Sequence, residues 1–193
     1  MTVDDANRVL EEADLVASEG EITTAIDRMA EEISERVDMS RPIACCVMNG
    51  GLIFAGQLLT KLAFPLEVDY VHATRYGHET TGAGLQWLVQ PQLDPNGRTV
   101  LLLDDILDEG VTLAAIADHY RHQGAGEVLT AVLVDKRHTR KVVPGFRADF
   151  TGIETDDRFL FGYGMDYQGY WRNASPIYAV THGRPEDAFS QKP

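Results

Sequence analysis

The chain has 193 residues, 44% hydrophobic and 24% charged, which suits one globular domain with a real core and excludes a disordered one. A formal net charge of −13 at pH 7 argues against a general binder of nucleic acid or anionic membrane. No apolar run approaches membrane-spanning length, and Met1 to Asp14 is acidic with no signal-peptide character, so the expected compartment is the cytoplasm.

Two amphipathic helices are predicted to open the chain. Ala6, Val9, Leu10, Ala13 and Ala17 follow helical spacing. After Ser18-Glu19-Gly20-Glu21, which has the form of a capping box, so do Ile22, Ala25, Ile26, Met29, Ala30, Ile33 and Val37. Ile43 to Met48 reads as a buried strand carrying Cys45 and Cys46. Neighbouring strand residues face opposite ways, so these are expected as two buried thiols in a reducing compartment rather than a disulfide. Asn49-Gly50-Gly51 is a loop, and Leu52 to Leu62 a helix containing Gly56. Leu66 to Thr74 alternates as a strand, Arg75 to Gly84 reads as a mobile polar loop, and Leu85, Trp87 and Val89 alternate again. Asp94-Pro95-Asn96-Gly97 is a turn. A strand from Val100, a helix over Leu113 to Gly124 and strands at Val128 to Val134 and Ala148 to Ile153 follow, before a Gly- and aromatic-rich C-terminal region. This alternation predicts a parallel sheet with helices on both faces.

The chemistry concentrates in Val100-Leu101-Leu102-Leu103-Asp104-Asp105-Ile106-Leu107-Asp108-Glu109-Gly110-Val111-Thr112. An apolar strand runs into carboxylates and then into a glycine that opens a helix, and ligands of open α/β sheets sit at such strand tips. Free N–H groups at the helix start suit a phosphate. Asp104, Asp105 and Asp108 suit sugar hydroxyls, a hydrated Mg²⁺ or a proton to be removed. An anionic ligand would need such a metal and local N–H donors in so acidic a chain. Gly50-Gly51 allows close backbone approach to a ligand, or makes an ordinary strand–helix turn. Lys136, in Asp135-Lys136-Arg137, stands at a strand end where it either donates to a carbonyl or is simply solvated. The aromatics of Asp157 to Tyr167 either stack on a planar base or fill core. Arg172 suits a bidentate phosphate contact. The six histidines make no metal set; His119 and His122 share a helix face but are too few.

The Val100–Thr112 segment resembles the PRPP-binding motif of the type I phosphoribosyltransferases, PRPP being 5-phosphoribosyl-1-pyrophosphate. Its pattern is a hydrophobic strand, two acids, two aliphatics, an acid, a variable residue, Gly, a variable residue and Thr. Met48 to Gly51 resembles the pyrophosphate loop of the hypoxanthine-guanine members, and Asp157 to Tyr167 their base-binding segment. The motif segments keep the family's order across residues 43–180. The resemblance implies an α/β chain with the type I phosphoribosyltransferase fold, a central mainly parallel sheet flanked by helices, with a small hood subdomain. It implies one domain over residues 1–193, with a core at about 40–155 and a hood built from the N-terminal helices and about 156–185.

The function so implied is purine salvage: transfer of the 5-phosphoribosyl group from PRPP to hypoxanthine or guanine, giving IMP or GMP and pyrophosphate. Asp104, Asp105, Asp108, Glu109, Gly110, Val111 and Thr112 would hold the ribose phosphate, and Asp108 would accept the N7 proton of the base. Asn49, Gly50, Gly51 and Arg172 would bind pyrophosphate, with a non-proline cis peptide at Met48–Asn49. Lys136 would donate to the 6-oxo oxygen, Phe159 would stack on the purine, and the Leu160 backbone would meet its edge. Asp104, Asp105 and Asp166 would hold Mg²⁺, and Arg75 and Tyr76 would begin a lid. A homodimer or homotetramer is implied, with no nucleic-acid or membrane partner. The chain departs from the pattern at Asn49, where a basic residue is usual, at Glu109, an acid beside the expected phosphate, at Arg75 and in the segment from Gly82. Two other readings are a xanthine-preferring enzyme and a non-catalytic sensor of PRPP or nucleotides. The acid pair also resembles a receiver or phosphatase site, but Ile106 breaks the Asp-x-Asp that a phosphatase needs.

Overall fold

The computed structural model describes residues 1–37, 41–75 and 85–181, with backbone alone at Arg75 and Leu85. Helix α1 (Val3–Glu12) is followed by strand β1 (Asp14–Ala17) and helix α2 (Glu19–Arg36). Then come β2 (Ile43–Val47), α3 (Leu52–Leu59), β3 (Glu67–Arg75), β4 (Leu85–Val89), β5 (Thr99–Leu107), α4 (Val111–His122), β6 (Glu127–Arg137) and β7 (Phe150–Asp156). Two short strands, β8 (Leu160–Phe161) and β9 (Ile177–Ala179), complete the order. No helix among the described residues is long and apolar enough to cross a membrane.

The main sheet runs β4-β3-β2-β5-β6-β7, and every pairing in it is parallel except β3 with β4. From β2 the chain crosses through α3 to β3 on one side; from β5 it crosses through α4 to β6 on the other. The β2/β5 boundary is therefore the topological switch point, where the loops leaving the two strand tips diverge and open a crevice. The alternation of strand side chains divides the core. Cys46, Leu101 and Leu103 face α2 and α3 through Ile26, Met29, Phe54 and Leu58. Cys45, Val100 and Leu102 face α4 through Leu113, Ile116 and Tyr120. The adjacent cysteines thus sit on opposite faces as free thiols, and burial pushes both up to about 12.

The first predicted helix is too long. It ends at Glu12, and Asp14–Ala17, including the expected helical Ala17, is instead a strand paired antiparallel with β9. The pairing partner lies at Ile177–Ala179, so a tertiary contact overrides a local helical spacing that Ala13 and Ala17 satisfied by chance. The second helix begins as read, with Ser18 as N-cap and Glu21 closing the capping box. Leu52 to Leu62 shortens to α3, whose helix stops at Leu59. Strand β6 outruns its predicted end by three residues, so Asp135, Lys136 and Arg137 lie within the strand rather than after it. Strands β8 and β9 were not anticipated; with β1 they form a second, three-stranded sheet. The expected loop from Arg75 to Gly84 and the segment from Gly82 lie, apart from the β3 end and β4, outside the described residues.

The first helix and strand meet the segment that follows β7 in this second layer. Trp171 Nε1 donates to the Ala6 carbonyl at 2.6 Å, and Arg158 pairs with Asp14. Replacing Trp171 with Phe removes the first bond and should cost about 1 kcal/mol, or a few degrees in Tm. Hydrogen exchange should show faster exchange in α1 with the main sheet unchanged; unaltered α1 protection would show that this bond does not hold the layer together.

Candidate functional site

Strand β5 pairs with β2 only as far as Leu103, but with β6 as far as Leu107. Beyond Leu103 its β2 side is free, because β2 has ended and the chain turns through Met48–Asn49, a cis peptide as the resemblance implied. Asp104 and Asp105 occupy this overhang. A Cβ on Gly50 would fall 2.1 Å from Asp105 Oδ2, and one on Gly51 would fall 2.6 Å from the Leu103 carbonyl oxygen. Only glycine lets the loop close down on the acids.

The turn from β5 into α4 runs through Gly110 at φ +78, where a Cβ would strike Leu107 and Phe146 at 2.8 Å. The first helical bond of α4 is from the Ala114 N–H to the Gly110 carbonyl, so the N–H groups of Val111, Thr112 and Leu113 are left for another acceptor. They point, with the helix dipole, to where an anion would sit.

A cleft of about 390 Å³ opens here. It is lined by Asn49, Gly50, Asp104, Asp105, Asp108, Glu109, Gly110, Val111, Thr112, Asp166 and Arg172, eleven of the predicted residues. Gly51 lies behind Gly50, and Lys136 reaches the cleft through Asp108. Phe159 and Leu160 do not line it: Leu160 is buried in the core, and Phe159 packs edge-on against Tyr167, ring centres 5.7 Å apart. Arg75 ends β3, while Tyr76 lies outside the described residues. His72 and Thr74 on β3 also line the cleft and were not singled out from the sequence.

The acids fall into two electrostatic classes. Asp104 and Asp105 form no ion pair among the described residues. Burial pushes both carboxyls up, and the neighbouring Asp105 raises Asp104 further. Such a pair of oxygen donors, with no direct ion pair and only the nearby Arg172 charge drawing Asp105 down, fits a hard divalent cation. Asp166 stands nearby but is held by Arg172 at 2.5 Å, whose other nitrogen donates to the Gly164 carbonyl at 2.6 Å.

Asp108 is the reverse case. Lys136 Nζ donates to its Oδ2 at 2.9 Å and His138 Nε2 meets its Oδ1 at 2.7 Å. Burial would raise this carboxyl, but Lys136 and His138 outweigh it and hold the group below the usual carboxylate range. Lys136 is itself only 7% exposed, which rules out a solvated loop lysine. Arg140 forks onto Asp157, lowering that carboxyl to about 2. Asp108, His138 and Asp157 bring ligand atoms within 4.8 Å of one another, but Lys136 and Arg140 already neutralise the two carboxylates, so the group is an ion-pair network rather than a metal centre.

The segment after β6 was missed in the sequence. His138, Arg140 and Lys141 all bear on the β5–α4 turn: Lys141 Nζ donates to the Leu107 carbonyl at 2.8 Å and to Asp135 at 2.6 Å in a buried pair. The available signal was the density of cations in Lys136-Arg137-His138-Thr139-Arg140-Lys141 facing an acidic turn.

Comparison with known proteins agrees with this geometry. The phosphoribosyl transferase domain family matches residues 15–168. Hypoxanthine-guanine phosphoribosyltransferase of Bacillus subtilis (strain 168) is 32% identical over 161 residues, covering 82% of this chain and 88% of that protein. The protein of the same name from Aquifex aeolicus is 33% identical over 168 residues, covering 86% and 93%. The structure of hypoxanthine phosphoribosyltransferase from Trypanosoma cruzi in complex with the product IMP superposes with a TM-score of 0.80 at 27% identity, over 91% of this chain and 97% of that one. The chain belongs to the phosphoribosyl transferase family.

Proposed function

We propose that the protein transfers the 5-phosphoribosyl group of PRPP to a 6-oxopurine, hypoxanthine or guanine, releasing pyrophosphate. The observation that carries this reading is the meeting, in one cleft, of the α4 N-terminus, the Asp104–Asp105 pair, which makes no ion pair among the described residues, and the Lys136–Asp108 pair. The similarity to the bacterial hypoxanthine-guanine enzymes supports it.

In this reading the N–H groups at the start of α4 and the Thr112 hydroxyl hold the 5′-phosphate. Asp104 and Asp105 would hold the ribose hydroxyls and a Mg²⁺, with Asp166 joining them only once Arg172 turns from it to the pyrophosphate. The metal would supply neutralising charge for the leaving pyrophosphate. The amides of Gly50 and Gly51 and the Arg172 guanidinium bind the pyrophosphate on the other side.

Asp108 and Lys136 select the base. Nζ of the free protein is committed to Asp108, but an ammonium has three donors. A 6-oxo oxygen presented beside it draws the lysine across. Asp108 then loses a donor, its proton affinity rises, and its Oδ2 takes the N7 proton as the new bond to the anomeric carbon forms. A 6-amino group cannot accept from Lys136, so adenine leaves the lysine where it is.

Ultraviolet-monitored turnover with PRPP and Mg²⁺ should therefore consume hypoxanthine or guanine, leave adenine untouched, and stop on chelation of the metal. Turnover of adenine at a comparable rate, or of no base at all, would overturn the reading. Asp108→Asn should change KM values little and lower kcat about 10²- to 10⁴-fold; wild-type turnover would remove Asp108 from the proton transfer. Gly164→Ala places a Cβ 2.0 Å from the Gly50 carbonyl oxygen, at φ +105, and should raise KM for PRPP at least about tenfold by displacing the loop. An unchanged KM would mean that the loop takes no part in binding.

A further inference from the structure

Of the side chains bonded to Asp108 among the described residues, His138 makes the shortest contact, 2.7 Å against 3.5 Å for Arg140, and the reaction above leaves it without a task. It follows β6 directly and its side chain is 5% exposed. Its two nitrogens are both engaged. Nδ1 accepts the Arg140 backbone N–H at 3.0 Å, which places the ring proton of the neutral imidazole on Nε2. That Nε2–H then donates to Asp108 Oδ1 at 2.7 Å, while Lys136 holds the other oxygen, Oδ2. Arg140, which supplies the N–H fixing the ring, is anchored in turn on Asp157 at 3.0 Å.

We propose that His138 is a positioning residue for the phosphoribosyl transfer: its Nε2–H keeps the Asp108 carboxylate aimed at N7 of the base after Lys136 has turned to the 6-oxo oxygen. The inference rests on the transfer reading given above and deepens it at the same site. When Lys136 leaves, Arg140 Nη2 is 3.5 Å from Oδ1 and too far to fix the carboxylate alone. His138 remains as the short donor. The N7–H bond breaks, an Oδ2–H bond forms, and the carboxylate becomes a neutral acid still held through Oδ1. His138 does not take this proton, since Nε2 is already protonated and Nδ1 faces the Arg140 N–H. A carboxylate fixed at one oxygen and free at the other is the arrangement a directed proton transfer requires.

The test uses the intact enzyme and two variants. His138→Phe keeps the ring's bulk and removes the donor; His138→Gln restores an N–H near the position of Nε2. For His138→Phe, kcat should fall roughly 10- to 100-fold, with KM for PRPP unchanged and Tm close to wild type. Its acid limb of kcat/KM should also move to higher pH, because Asp108 has lost a donor while Lys136, Arg140, Glu109 and Asp157 still surround it. His138→Gln should recover most of the rate. A His138→Phe enzyme with wild-type kcat and pH profile, or a His138→Gln enzyme as slow as it, would overturn the proposal. Nitrogen-15 spectra of the imidazole in the free protein are a second readout that needs no turnover. A protonated Nε2 and an unprotonated Nδ1 are expected, and a proton on Nδ1 would refute the hydrogen bond. Wild-type protein that turns over no base would retire the transfer reading, while the nitrogen spectrum would still decide the contact.

Discussion

The site depends on one close approach, that of the Gly50 backbone to the Asp105 carboxylate at the β2/β5 switch point. No other residue type leaves room there, since a Cβ on Gly50 would overlap Oδ2. Gly164 closes the same stack from the other side, where a Cβ of its own would fall 2.0 Å from the Gly50 carbonyl oxygen. Three backbone segments from distant parts of the chain are thus pressed around one buried acid. The sheet makes this possible: β5 continues for four residues past its last β2 partner, and the overhang is what the loops cover.

Three acids of one strand tip and turn then carry opposite charge environments. Asp105 is buried and Asp104 half-buried, neither makes an ion pair among the described residues, and burial pushes both carboxyls up although the Arg172 charge draws Asp105 partly back. Asp108 stands against Lys136 and His138 and is pulled down. The first pair can be satisfied by a divalent ion that arrives with an anionic substrate, which accounts for how a chain of net charge −13 could bind a polyphosphate. The second is satisfied in advance, and in the proposed reaction the ligand would release it. A site that waits for charge on one side and gives up a lysine on the other would couple binding of the two substrates to the chemistry between them. The surrounding scaffold backs the β5–α4 turn: Lys141, paired with Asp135, donates to the Leu107 carbonyl, and the Phe146 ring packs against Gly110.

Much of this was legible in the sequence, for physical reasons that differ by element. The apolar run Val100 to Leu103 is a doubly covered parallel strand, and such a strand has no polar alternation to mislead. The Ser18 capping box fixed the start of α2 because both of its hydrogen bonds are local. The motif at Asp104 to Thr112 and the glycines at 50 and 51 placed most of the cleft lining, since each lies at a strand tip. What failed was long-range. Nothing near Asp14–Ala17 announces a partner at Ile177–Ala179. Nothing in Lys136 itself shows that a parallel neighbour, β7, extends the strand far enough to bury it. His138 was passed over for a related reason: its contacts are with Asp108, thirty residues earlier, and with the Arg140 amide.

The central claim is the transfer of Lys136 from Asp108 to the base. The most direct measurement is the wild-type pH dependence of kcat/KM for the base beside that of kcat. The first reports the enzyme before the base binds, with Asp108 held low by Lys136; the second reports the complex, with that donor withdrawn. The account predicts that the acid limb of kcat lies at distinctly higher pH than that of kcat/KM, and that Lys136→Met erases the difference by raising the limb of kcat/KM. Coincident acid limbs in the wild type would mean that Lys136 never leaves Asp108, and would contradict the account.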